Sequence, residues 1–367
     1  MNSDLLTELQ EDWLEAKMRG LTQEEIEANP ELLTKDMNEE IDAIAAAIVQ
    51  RYQSTAPQVL KRTRSNEAAF QERNFARWRK AFDILEIMVS VATDLGELNE
   101  KSLLVNNTST VARRALSDLY PRAILITREI LALLKAGYPD GALARWRSLH
   151  EIAVTMMFIA KHGDQVGLPF ILSFPFKALK RARNFNQHAE RSRLKPFTSF
   201  ELQKMQDDCD NAERRLGRKL DGDFGWAAPP LVGAPTFAAV EKDVEMDHWR
   251  PRFAWACQHN HAGHHPADKF LGLAETKDSV HLVGMSNSGF VDPLDMTAHS
   301  LTAATVSLFK DNANFDRLVH MKTMCLLRDQ VGPTAVTIER LSLQAWRRKQ
   351  CRARRKNLNG RSRRSKV

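Results

Sequence analysis

Apolar residues recur at three- and four-residue spacing along most of the chain, which is the pattern of amphipathic α-helices. The clearest case is residues 66–98, where Phe75, Trp78, Phe82 and Leu85 share one helix face. The pattern predicts helices over 5–19, 38–50, 66–98, 109–136, 141–162, 176–193, 199–220, 237–261, 296–310, 315–330 and 334–348. We therefore expect an all-α protein, a multi-helix bundle with long antiparallel helices.

The segment Gly137-Tyr138-Pro139-Asp140-Gly141 separates two of these helices. Proline fixes φ and glycine permits positive φ, so the segment predicts a tight turn. Two helices joined by so short a turn lie side by side and antiparallel.

Two segments interrupt the helical pattern. Pro251 predicts a kink or a break in the helix over 237–261. Val280-His281-Leu282-Val283 favours strands, which predicts one small β-hairpin near 278–291.

Charge is distributed very unevenly along the chain. The formal net charge of +7 combines an acidic first fifty residues with a basic end, since residues 341–367 hold eleven Lys and Arg and no Asp or Glu. We expect an acidic helical region over 1–60, a main helical domain over 61–340 and a basic, disordered tail over 341–367.

Composition narrows the class of protein. The four cysteines form no CxxC pair, which is typical of reduced, intracellular proteins. No apolar run approaches the roughly 18 residues of a membrane span, and the first 21 residues do not resemble a signal peptide. We expect a cytoplasmic protein without membrane contact. The motifs of ATP, nicotinamide and serine-hydrolase sites are absent from the sequence, so no cofactor is expected.

The helix over 141–162 carries the most distinctive polar residues. Arg147, His150 and Glu151 share one face, while Leu143, Trp146, Leu149 and Ala153 form an apolar stripe suited to the core. Two interpretations stay open. Arg147 and Glu151 pair with each other, or the face binds an anion, with Arg145 and Arg147 on phosphate oxygens and His150 acting on a proton.

These residues carry a resemblance. The run from Gly137 to Glu151, with Phe224-Gly225-Trp226 downstream, resembles a bacterial family classified only as a domain of unknown function, whose members share such a turn, an Arg-Trp-Arg-Thr-Leu-His-Glu helix and a Tyr-Gly-Trp segment. The resemblance covers roughly residues 75–325 and implies a helical fold without an assigned activity. We expect Trp226 to fill the core; the alternative is a loop tryptophan that stacks on a base.

A second resemblance concerns the HEPN superfamily of helical ribonucleases and toxin or defence modules. Their signature is an Arg, usually followed by a polar residue, and a His after four to six intervening residues. Arg183, Asn184 and His188 resemble this signature. Arg145 and His150 match its spacing but not its polar residue. The resemblance implies metal-independent RNA cleavage. Arg183 and His188 lie about 140° apart on a regular helix, so the hypothesis includes a homodimer that completes the site. The alternative is a solvated basic helix.

Nitrogen and sulfur donors concentrate between His248 and His265. Cys257, His261 and His265 have i,i+4 spacings that suit a transition metal. Because no further ligand shows metal-motif spacing, we expect no metal site. We expect instead that these side chains line a polar helix end or a central pocket, where His261 could face the helix of Arg147 and Glu151.

The basic tail is the clearest binding signal. Mobile cations suit a phosphate backbone, so we expect the tail to bind nucleic acid, RNA in the first place. An anionic membrane, the acidic first fifty residues or a partner protein are the alternatives. Two functions follow: an endoribonuclease of bacterial defence or toxin type, or a non-enzymatic scaffold or binding module. The tail residues expected to contact nucleic acid are Arg347, Arg348, Lys349, Arg352, Arg354, Arg355, Lys356, Arg361, Arg363 and Arg364.

Overall fold

The structure is a computed structural model that describes residues 15, 22, 37–105, 110–264, 266, 269–276, 280–310 and 314–364; side chains are not described at 37–40, 104–105 and 349–364. Two compact units divide the chain, Met1–Phe70 and Gln71–Val367. The helix predicted over 5–19 lies outside the described residues except for Glu15. The domain boundaries expected at 60 and 340 stay predictions, because backbone compactness does not show which segments fold alone.

All regular structure in the described ranges is helical, which confirms the predicted all-α class. Short 3₁₀ turns lie at Gly225–Ala227, Asp247–Trp249 and Leu271–Leu273. The α-helices are α1 (Met37–Val105), α2 (Val111–Ala136), α3 (Pro139–His162), α4 (Asp164–Leu172), α5 (Phe174–His188), α6 (Ser199–Leu216), α7 (Phe237–Asp243), α8 (Arg250–Gln258), α9 (Val291–Phe309) and α10 (Phe315–Arg364).

The predicted turn joins α2 to α3. Gly137 adopts φ +92° and its N–H bonds back to the end of α2, while Pro139 occupies the first turn of α3, where its missing N–H costs nothing. The two helices pack side by side. Local turn chemistry was sufficient to place this hairpin.

Helix α3 is central to the larger unit and packs against α2, α9, α8 and α7. Its apolar stripe of Leu143, Trp146, Leu149 and Ala153 is fully buried, as predicted. Helix α9 is buried on most of its surface, and the hydroxyls of Thr302, Thr305 and Ser307 bond to carbonyls four residues back. Those internal bonds let polar residues enter the core without losing hydrogen bonds.

Two predicted interruptions are absent. Helix α1 is continuous over 51–65, where almost every residue is exposed, so apolar spacing carried no helical signal there. Helix α10 continues through Pro333 because Val331 and Ala335 on either side are buried in the core, and that packing offsets the proline's cost of about 3 kcal/mol.

The predicted break in 237–261 is displaced, and the predicted hairpin is wrong. Pro251 lies in the first turn of α8, and the chain instead turns before it, where Glu245 adopts φ +60°. Residues 280–290, the described part of the expected hairpin before α9, contain no strand. Their backbone bonds to a distant turn, with the Ser286 N–H donating to the Gly137 carbonyl at 2.8 Å.

Candidate functional site

Arg147 and Glu151 on α3 form an ion pair. The Arg147 Nη2 lies 2.8 Å from the Glu151 Oε1, and both side chains are about one-third exposed. The Arg147 Nε–H also donates to the Sγ of Cys257 on α8 at 3.1 Å, and its guanidinium lies over the ring of Phe253. The intramolecular pair that the sequence allowed is therefore formed, and Arg147 links α3 to α8.

His150 points into the core rather than onto that face. Its ring is fully buried, and its Nε2–H donates to the Oε1 of Glu241 on α7 at 3.0 Å. The Glu241 side chain is 1% exposed, and its second oxygen, Oε2, lies 3.0 Å from the Nη1 of Arg250. Because a carboxylate only accepts, the pair fixes which ring nitrogen carries the hydrogen.

Aromatic rings enclose this network. Trp146 stacks on His150 with ring centroids 5.0 Å apart, and Trp249, Phe253 and Phe237 lie within 6.2 Å of the same imidazole. The Nδ1 atom of His150 is buried without a hydrogen-bond partner among the described residues. Since solvent does not reach the ring, neither nitrogen meets a phosphodiester in this arrangement.

Arg145 does not join that network. It forms an ion pair with Glu129 of α2. Three of the predicted anion-binding residues already have protein partners: Arg147 pairs with Glu151, and His150 bonds to Glu241. Arg145 lines an opening that Glu151 also borders.

That opening is a cleft of about 400 Å³ between α2 and α3, which we name the α2–α3 cleft. Phe170, Phe224, Trp226 and Phe237 supply its aromatic lining. Trp226 itself is 2% exposed and packs edge-on against Phe158 and Phe170, so the prediction that it fills the core is confirmed. The ionic and hydroxyl side chains of the lining are Arg122, Arg145, Ser148, Glu151, Thr155, Lys177 and Asp223. The two segments singled out in the sequence, around Arg145–Glu151 and Phe224–Trp226, meet here.

Two ionic groups of this cleft have altered acidities. Burial raises the pKa of Glu151, and the nearby charge of Arg147 offsets that effect only in part. Burial lowers the pKa of Lys177, which Asp223 counteracts and Arg181 reinforces. In both groups burial is the largest cause of the shift, and nearby charges modify it.

Arg183, Asn184 and His188 lie on the regular helix α5, and all three are exposed. Arg183 donates to Gln206 of α6 at 2.8 Å. Because α5 keeps its helical geometry between Arg183 and His188, the two side chains leave the helix in different directions. A second subunit would have to complete any site that uses both.

The donors between His248 and His265 do not converge. Cys257 accepts from Arg147, while His261 and His264 are exposed. His265 lies outside the described residues. Within the described part of the chain, no group of three or more His, Cys, Asp and Glu side chains could hold a metal ion. No hydrogen bond or ion pair joins His261 to α3 among those residues.

The Asp140 carboxylate has a structural role that the sequence did not reveal. Its oxygens accept from the backbone N–H groups of Leu271 at 2.7 Å and Gly272 at 3.0 Å. The carbonyl of Gly272 in turn accepts hydrogen bonds from the hydroxyls of Ser286 and Ser288. The first turn of α3 therefore anchors the loop that leads to α9.

Replacing Asp140 by alanine is expected to destabilise this loop, because two backbone donors lose their acceptor, at about 1–3 kcal/mol for each buried donor left unpaired. Hydrogen exchange should accelerate at the amides of Leu271 and Gly272 by tenfold or more. Asp164, whose carboxylate accepts from the Ala112 N–H elsewhere in the fold, provides the matched control. Equal acceleration in Asp140→Ala and Asp164→Ala at both amides would contradict the local anchoring.

The basic end of the chain continues α10. The backbone is helical as far as Arg364, where the sequence predicts a disordered tail. Arg, Lys, Gln and Ala, which are good helix formers, dominate there and proline is absent from 341–364. Arg347 and Arg348 are exposed, and the side chains of the other tail residues lie outside the described ones. No described helix is long and apolar enough to cross a membrane.

Sequence reasoning missed Glu241 and Arg250, which complete the network of His150. They follow His150 by about ninety to one hundred residues and belong to no motif. A lone glutamate in Ala-Val-Glu-Lys carries no signal of burial. Only its position on α7 against α3 makes it a partner of His150.

The comparisons with known proteins bear on this region. No curated protein and no solved structure matches the chain significantly. Every residue that lines the α2–α3 cleft lies between 119 and 237. That interval is inside residues 113–279, a little less than half of the chain, which are similar to a family described only as a family of unknown function, DUF5677.

Proposed function

We propose that this protein is a nucleic-acid-binding module, with single-stranded RNA as its ligand. The observation that carries the proposal is a basic surface on α5, which we define by Lys177, Lys180 and Arg181. These three cations line an open cleft of about 590 Å³ together with Asn184, Phe185 and a single carboxylate, Asp223.

The charges of this surface favour a polyanion. Lys177, Lys180 and Arg181 have three- and four-residue spacing and so lie on one face of the helix. Lys180 and Arg181 are exposed, and neither forms an ion pair among the described residues. Uncompensated cations on one face attract a phosphate backbone regardless of its sequence.

Aromatic side chains beside the cations favour a single strand. Phe185 lines the same cleft and packs edge-on against Phe197, with ring centroids 5.5 Å apart. Phe174, the first residue of α5, is 68% exposed. Stacking of unpaired bases on such rings is a common feature of single-strand binding.

The C-terminal end of α10 supplies further cations. Ten of its residues between 347 and 364 are Arg or Lys, and no acidic residue interrupts them. Such a segment strengthens binding to any phosphate backbone without reading sequence. We therefore expect it to raise affinity, while the α5 surface favours single strands.

Titration of a fluorescently labelled 20-nucleotide RNA, followed by anisotropy at several salt concentrations, tests the proposal. Lys180→Gln with Arg181→Gln is expected to weaken binding by about tenfold and to reduce the slope of log K against log salt by about 1.4, since each lost phosphate contact removes about 0.7. Removing residues 347–367 should weaken binding further. Double-stranded DNA should bind less tightly than the single strand.

Arg62→Gln with Arg64→Gln makes the matched control, because both residues are exposed on α1 and the change in net charge is identical. Equal loss of affinity in the two double variants would contradict a defined α5 surface. RNA cleavage in EDTA is the arm that separates a module from an enzyme. We expect none; cleavage abolished by His188→Ala would instead favour the HEPN-like ribonuclease, acting as a dimer.

A further inference from the structure

The α2–α3 cleft has the construction of a small-molecule site. Its volume of about 400 Å³ falls within the range of ligand pockets, and its walls come from α2, α3, α4, α5, α7 and the Phe224–Trp226 segment. Helix α3 contributes Ser148, Glu151, Ile152 and Thr155, which follow one another along a single face. The cleft is thus shaped by packed helices rather than by a loop alone.

One cation in this cleft lacks a counter-ion. Arg145 is paired with Glu129, Glu151 with Arg147, and Lys177 interacts with the charge of Asp223. Arg122 lines the same cleft, and among the described residues it forms neither an ion pair nor a hydrogen bond. The cleft therefore carries one uncompensated positive charge on the α2 side.

Hydroxyl groups are available opposite that charge. Ser148 and Thr155 line the cleft from α3, and neither side chain makes a hydrogen bond to another described residue. An arginine and hydroxyl donors around one opening are the groups that proteins use to hold carboxylate or phosphate oxygens.

The remaining wall is aromatic. Phe224 and Phe170 are half-buried, and the buried ring of Trp226 lies behind them, with centroids 6.3 Å and 5.0 Å from theirs. A flat apolar body placed against these rings buries surface without leaving a polar group unpaired.

We propose that the α2–α3 cleft binds a small organic anion, with its carboxylate or phosphate on Arg122 and Ser148 and its aromatic body against Phe224 and Phe170. This site shares Lys177 and Asp223 with the nucleic-acid surface proposed on α5, but Lys180 and Arg181 do not line it, so variants at those two residues distinguish the sites.

Calorimetric titration of the full chain with three probes tests the site. Indole-3-acetate carries a carboxylate, adenosine monophosphate carries a phosphate, and indole-3-acetamide is the neutral counterpart of the first. At least one anionic probe should bind about tenfold or more tightly than the amide, and the stronger of the two identifies the anionic group that the cleft takes. Arg122→Gln should remove that preference, since a charge-assisted hydrogen bond is lost.

Arg128→Gln is the matched control, because it removes a charge from the same helix at an exposed position that does not line the cleft. Its affinity for the anionic probe should stay within twofold of the unchanged chain, as should that of Lys180→Gln with Arg181→Gln. Anisotropy with RNA should be unaffected by Arg122→Gln, which separates the two proposals. No binding of either anion at millimolar concentration, or equal binding to Arg122→Gln, would overturn the inference.

Discussion

Replacing Trp146 by alanine is expected to lower the free energy of unfolding by about 3–5 kcal/mol, the cost of removing a buried tryptophan and leaving its cavity. The ring is fully buried between α3 and α9, and its Nε1–H donates to the Met296 carbonyl at 2.9 Å and lies 3.0 Å from the Ser300 hydroxyl. Its loss also removes the stacking partner of His150. Urea denaturation followed by circular dichroism measures the change.

Two further variants identify the source of this loss. Trp146→Phe keeps an apolar ring and removes the indole donor, so about 1–3 kcal/mol is expected from the unpaired acceptors. Trp346→Ala removes a half-exposed tryptophan from α10 and should change stability by about 0.5 kcal/mol or less. If Trp146→Ala and Trp346→Ala destabilised equally, the burial described for Trp146 would be wrong.

Replacing Glu241 by alanine is expected to cost about 3 kcal/mol, although no motif marks this residue. The substitution leaves the buried His150 Nε2–H without an acceptor and Arg250 without its carboxylate. Breaking a buried, hydrogen-bonded charged group by removing one partner typically costs 3–5 kcal/mol. The Arg250 side chain is 39% exposed, so water can solvate its guanidinium once the carboxylate is removed. We therefore expect a loss at the lower end of this range.

The pair of variants His150→Ala and Glu241→Ala separates coupling from simple destabilisation. Because the two side chains share one hydrogen bond, the double variant should be less destabilised than the sum of the single ones, by about 1 kcal/mol or more. Lys242→Ala, an exposed neighbour on α7, should have little effect. Strict additivity of the two single variants would contradict the His150–Glu241 contact.

How far sequence reasoning reached depends on the range of each interaction. The stripe of Leu143, Trp146 and Leu149 and the turn at Gly137 were predicted correctly, because spacing and turn chemistry act within a few residues. The pattern predicted separate helices over 315–330 and 334–348, whereas α10 continues through Pro333 because the neighbours of this proline pack into the core. The segment around Val280, for which strands were predicted, is a loop, and the N–H of Ser286 that follows it donates to the Gly137 carbonyl instead of to a second strand.

The candidate site shows the same division. Helical spacing correctly placed Arg147 and Glu151 together, because four residues make about one turn. It placed His150 beside them on the polar face, but the structure turns that ring inward, since Glu241 offers a buried acceptor and four aromatic rings surround it. Arg122 drew no attention in the sequence, as one arginine among many on a polar helix face.

By itself the sequence determined the all-α class, the α2–α3 hairpin, the core stripe of α3 and the charge of the C-terminal segment, because each depends on neighbours along the chain. Only the tertiary structure decided which polar groups find partners. Glu241 bonds to His150, Asp140 accepts from Leu271 and Gly272, and Glu129 pairs with Arg145. Arg122 forms no ion pair with any described residue. The partners in these pairs come from different helices or loops. Their separation along the chain does not predict whether packing brings them into contact.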